Sequence, residues 1–185
     1  TFGISRIQPQ VDGLTLVFDA DAVVTYPGSS GTGSSAIYNN GKDNLTVTIN
    51  AGKTLSMSNN AYFTIATSGS AAPATGFNIT LNINGTLNTY TGANINFLNA
   101  NNKTSTINIG SAGVLNCWAN LLTPQSNSTG ILTVANGGKI YFPAVVAIIL
   151  GTTTTSTING ILDFGASSPR TITGPTTIGT TGKVR

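Results

Sequence analysis

One unit recurs along this chain: a short strand of alternating apolar residues, a turn carrying glycine, then a second short strand. The copies run from Leu45 to Met57, Ile79 to Thr89, Thr106 to Cys117, Ile131 to Phe142 and Ser156 to Phe164. Their turn glycines, Gly52, Gly85, Gly113, Gly138 and Gly160, lie 33, 28, 25 and 22 residues apart. Spacings of this size belong to one coil of a solenoid, with loops of differing length on one side. No copy can bury its apolar face alone, but a stack can.

Alternation fixes which residues point inward. Side chains on a strand alternate between its faces, so Val47 and Ile49 face one way and Thr46 and Thr48 the other. In-register stacking then predicts one inward column of Leu55, Leu87, Leu115, Ile140 and Leu162. A second holds Met57, Thr89, Cys117, Phe142 and Phe164. Asn-Gly pairs at 40–41, 84–85, 136–137 and 159–160 suit tight corners, because both residues tolerate positive φ. Stacked Asn at such corners would form side-chain ladders. A third apolar patch follows each copy: Phe63 and Ile65, Ile95 and Phe97, Leu121 and Leu122, Val146 and Ile148, then Ile172.

Three short strands per coil predict an all-β, single-domain, right-handed parallel β-helix over residues 1–185, with about five to six coils. Residues 41–164 are the repeated coils. Residues 1–40, a strand and a Gly/Ser-rich loop, are expected as an N-terminal cap, and 165–185 as a last coil or assembly segment. The rival is an antiparallel β-sandwich, since Asn-Gly also marks hairpins.

Composition narrows function. Only 7% of residues are charged, and there is no His and no Glu, against about 25% charged in an average domain. Common general bases and metal ligands are therefore missing, and no enzyme activity and no cofactor are expected. The net charge of +3 comes from scattered Lys and Arg, without the clustered footprint that nucleic acid requires. No apolar run approaches the ~20 residues of a membrane helix. Cys117 is the only cysteine and reads as a small core residue.

Few candidate sites remain. Asp19 and Asp21, two apart on a strand, share a face and form a weak Ca²⁺ candidate. Their plainer reading is a solvated outer surface. Sequons for N-glycosylation stand at Asn44, Asn78, Asn84, Asn102 and Asn127. A candidate ligand face is an outward row of Thr46, Thr48, Thr80, Asn82, Thr106, Asn108, Thr133, Thr157 and Asn159. That row would suit a glycan or ice, with Tyr62, Tyr90, Trp118 and Tyr141 as sugar-stacking platforms or simple edge packing.

The Asn-Gly-x-Leu coils over 45–164 resemble those of large bacterial surface proteins such as β-helical adhesins and stalk regions. Similar coils recur in phage fibres, autotransporter stalks and filament subunits. The resemblance implies a passive extracellular or cell-surface role: a structural or adhesive module, self-associating end to end or contacting other surface proteins and glycans. It carries no catalytic residue. A glycan- or ice-binding solenoid is the alternative, and a polysaccharide lyase or hydrolase the more distant one.

Overall fold

In the computed structural model, residues 2–4, 7, 9–25, 35–37, 42–58, 62–64, 78–89, 95–96, 103–118, 121–122, 129–142, 148–149, 154–165 and 172–185 are described. Their strands form three sheets, and every strand pair among the described residues is parallel. The fold is a parallel β-helix; the antiparallel sandwich is excluded.

The first sheet has seven strands: Thr15–Phe18, Leu45–Ile49, Ile79–Ile83, Thr104–Ile109, Thr129–Val134, Thr154–Ile158 and Thr176–Ile178. The second has eight: Phe2–Ile4, Ala22–Thr25, Thr54–Ser58, Thr86–Asn88, Val114–Asn116, Lys139–Tyr141, Ile161–Asp163 and Lys183–Val184. The third has six: Ser35–Ile37, Tyr62–Thr64, Ile95–Asn96, Leu121–Leu122, Ile148–Ile149 and Ile172–Thr173. At ~4.8 Å per rung, seven strands span roughly 30 Å of axis.

Register confirms the first inward column and extends it. Ala22, Leu55, Leu87, Leu115, Ile140, Leu162 and Val184 are successive partners. Met57, Thr89, Cys117, Phe142 and Phe164 are all buried. Phe142 and Phe164 stack with centroids 5.2 Å apart. Thr89 is tolerated there because its hydroxyl donates to the Asn116 carbonyl and accepts the Trp118 N–H. In the third sheet Phe63, Ile95, Leu121, Ile148 and Ile172 are successive partners.

Three expectations need correction. Six coils carry a strand in each of the three sheets, within the expected five to six, but residues 1–40 are not merely a cap. Thr15–Phe18, Ala22–Thr25 and Ser35–Ile37 form a complete coil within the three sheets. That coil lacks a turn glycine. Ala20 stands in the glycine position, and the carboxylate of the next residue, Asp21, accepts the Thr54 N–H, a bond that the Gly85 and Gly113 carbonyls accept in later coils.

Second, Gly52 does not belong to the glycine column. Thr54 pairs with Thr86, so Lys53 is level with Gly85. The column proper contains Gly85, Gly113, Gly138, Gly160 and Gly182, and its cause is contact. A Cβ on each would strike a backbone carbonyl oxygen of the preceding coil, such as that of Ile83 for Gly113 and of Ile158 for Gly182. Gly52 and Gly137 serve a different need. They have φ of 73° and 90° at the third position of turns closed by the Lys53 and Gly138 N–H groups, where glycine is favoured.

Third, the Asn ladders lie on sheet faces as well as at a corner, where Asn78 Nδ2 donates to Asn44 Oδ1. On the first sheet Asn108 Nδ2 donates to Asn82 Oδ1 and Asn82 Nδ2 to Thr48 Oγ1. On the second, Asn116 donates to Asn88 and Asn88 to Ser56.

Candidate functional site

The outer face of the first sheet is the most regular surface among the described residues. One column contains Thr15, Thr46, Thr80, Thr106, Ile131 and Thr155. The other contains Val17, Thr48, Asn82, Asn108, Thr133, Thr157 and Thr177. Both follow from alternation: their neighbours Val47, Leu81, Ile107 and Leu132 are buried, so these side chains must face out.

This register corrects the predicted row at one coil. Thr157 is level with Thr133, so Asn159 is not on the face. It lies in the turn, where its N–H donates to the Val134 carbonyl. The face instead gains Thr15, Thr155 and Thr177. The sequence held a signal for Thr155, which with Thr157 flanks the inward residue 156. That residue is Ser, so the apolar alternation that marks other coils is broken there.

The turns between the first and second sheets differ in length. Asn84–Gly85 and Asn159–Gly160 are two residues shorter than the turns beside them, and each leaves a notch. One, of about 570 Å³, is lined by Asp19, Asn50, Ala51, Asn84, Ser111 and Ala112. The other, of about 340 Å³, includes Asn136, Asn159, Ile161, Thr181 and Lys183.

Asp19 and Asp21 bracket the first turn and are both exposed. Asp19 accepts from Asn50 Nδ2 and Asp21 from the Thr54 N–H. Each carboxylate thus joins its coil to the next. Among the described residues no group of three or more His, Cys, Asp or Glu comes together around them or elsewhere.

The other acids form two clusters. Asp43 accepts from Lys103 Nζ at 2.6 Å and from the N–H groups of Asn78 and Asn44. The Lys103 hydrogen bond holds its carboxyl below the ordinary range, against a smaller upward push from burial. Asp163 meets Lys139 and Arg185 at 3.4 and 3.1 Å. Partial burial raises its pKa, but the Gly165 N–H and the two cations outweigh it, so the net shift is downward.

Of the sequons, Asn44 and Asn84 are exposed and Asn78 is half-buried, its amide bridging Asn44 and the Thr104 N–H. Asn102 and Asn127 lie outside the described residues, as do Tyr90 and the side chain of Tyr62. Trp118 is 42% exposed. Tyr141 is half-buried, with the Lys139 ammonium 4.8 Å from its ring centre. No helix among the described residues is long and apolar enough to cross a membrane.

Comparison with family models, curated proteins and solved structures finds no match.

Proposed function

We propose that this chain is an extracellular structural or adhesive module that stacks end to end with copies of itself. One observation carries the reading: the last coil leaves core positions uncovered. Ile178 and Val184 continue the inward columns that contain Phe18 and Ala22, yet are 42% and 48% exposed, where Phe18 and Ala22 are 3% and 2% exposed.

The edges beside them support a second copy as the partner. Thr176–Ile178 and Lys183–Val184 are terminal strands of two sheets, and unpaired parallel edges template further strands. At the opposite end Thr15–Phe18 and Phe2–Ile4 are likewise terminal, with Val11 exposed and Leu14 and Leu16 only partly buried. Joining unlike ends is a heterologous contact, which extends as a fibre when it does not close. The scarcity of Lys and Arg, which leaves trypsin-like proteases few sites, and the resemblance to surface stalks support a place outside the cell.

Light scattering and electron microscopy of the purified protein test this. End-to-end oligomers that grow with concentration are expected, and Ile178→Asp with Val184→Lys should leave monomers. A wild-type chain that stays monomeric at high concentration would overturn the reading.

A further inference from the structure

We propose that the outer face of the first sheet binds ice. The comparison that suggests it lies within the molecule. The first and second sheets share the same solenoid, strand spacing and solubility requirement, so general β-propensity would furnish both outer faces alike. They differ sharply. The second sheet presents Lys139, Asp163, Lys183 and Arg185 among Val114, Asn116, Tyr141 and Ile161, with scattered Thr at Thr25, Thr54 and Thr86. The first presents no charge in either column, and Thr fills every rung of one column from Thr15 to Thr155 except at Ile131.

These threonines are also unoccupied. The hydroxyls of Thr46, Thr80, Thr106 and Thr155 make no hydrogen bond among the described residues, whereas Thr89 and Thr181 bond backbone carbonyls. Beside them, the Thr48–Asn82–Asn108 ladder ties the second column together. No register shift interrupts the pairing of this sheet. The result is a fixed array of methyl and hydroxyl groups repeating at ~4.8 Å along the axis and ~6.7 Å across it.

Such an array suits an ordered, uncharged lattice of donors and acceptors. A single hydroxyl–water bond contributes little net, about 1 kcal/mol, because liquid water offers the same bond. Binding therefore needs many groups in register at once. The axial repeat is close to the oxygen repeat within the basal plane of ice. Each hydroxyl can join the lattice as donor and acceptor, and the methyls fill the space between. Charge would defeat this, because ice does not accommodate ions, and charge is what the first sheet lacks.

The test is an ice-recrystallisation assay, with adsorption of the labelled protein to a single ice crystal, on the whole chain and two variants. Thr106→Lys places a cation in the middle of the first sheet's Thr column. Thr86→Lys makes the same change on the second sheet's outer face. Circular dichroism and thermal melting establish that both fold. The wild type and Thr86→Lys should inhibit recrystallisation and coat the crystal, and Thr106→Lys should lose both effects. A wild type with no effect would overturn the proposal, as would equal loss in both variants. Adsorption to microcrystalline cellulose without any effect on ice would also overturn it, assigning the face to neutral polysaccharide.

Discussion

The side-chain amide oxygen of Asn84 occupies the space that a Cβ on Gly110 would need, and Asn159 stands in the same relation to Gly179. Each Asn begins a short turn and leans along the axis onto the next coil. Each following turn then opens with glycine. The second glycine column obeys a stricter rule, because there the obstruction is backbone.

The two kinds of contact predict different costs. Gly110→Ala meets the end of a side chain that can swing aside, so about 1 kcal/mol of destabilisation is expected. Gly113→Ala meets the Ile83 carbonyl and the Gly110 backbone, neither of which can move without shifting a coil. Its cost should be about 3 kcal/mol or more. Urea melts measure both, and labelling of the buried Cys117 thiol reports the opening independently. In an Asn84→Ala background the Gly110→Ala cost should largely vanish while the Gly113→Ala cost persists.

Acid should destabilise the fold through Asp43 and Asp163. Both carboxyls have pKa values lowered by folding, so the folded state prefers the ionised form. The unfolded chain takes up these protons near its ordinary carboxyl value of about 4. The stabilisation is thus complete above that value and lost as pH falls through the lower, folded values. Both sites are partly exposed, so the effect is modest. The urea midpoint should be flat from neutral pH to about 5 and fall below about 4. Asp43→Asn with Asp163→Asn should be less stable at neutral pH and show a flatter acid limb. An unchanged acid limb in that variant would refute the assignment.

The inward columns were legible because Leu87, Leu115, Ile140 and Leu162 each follow a turn glycine by two residues. The first coil was not, because Ala20 replaces that glycine and the acceptor of the Thr54 N–H is the side chain of the neighbouring Asp21. Gly52 misled for a related reason: it marks a positive-φ turn, not a close approach of coils. Asn159 was misplaced because turn length varies by two residues between coils, and a slip of two keeps a residue on the same apparent face. The ion pairs of Asp43 and Asp163 join residues 60 and 22 positions apart. Nothing local announces them in a chain whose coil length changes.

Ser156 marks a place where the column departs from its own chemistry. It follows Val47, Leu81, Ile107 and Leu132 in register, is buried, and its hydroxyl has no partner among the described residues. An unsatisfied buried hydroxyl costs about 1–3 kcal/mol. Ser156→Ala removes that group without adding volume and should raise stability by about 1 kcal/mol. A thermal melt that shifts downward would show that the hydroxyl is satisfied by water.

The Asn-Gly pairs should age at different rates. Deamidation begins when the glycine nitrogen attacks the Asn side-chain carbonyl carbon, closing a succinimide and expelling ammonia; water then opens the ring to Asp or isoAsp. The attacking nitrogen must be free to approach. The N–H groups of Gly85 and Gly160 donate to the Ile49 and Val134 carbonyls of the preceding coil, which holds both nitrogens in the wall of the solenoid. Gly137 lies at the tip of a long turn, its N–H makes no hydrogen bond among the described residues, and Asn136 beside it is exposed. Asn40–Gly41 lies outside the described residues; among the other three pairs, incubation at mildly alkaline pH followed by peptide mapping should therefore find isoAsp first at Asn136, and at Asn84 and Asn159 only after unfolding. Equal rates at the three sites would mean that the short turns open as readily as the long one.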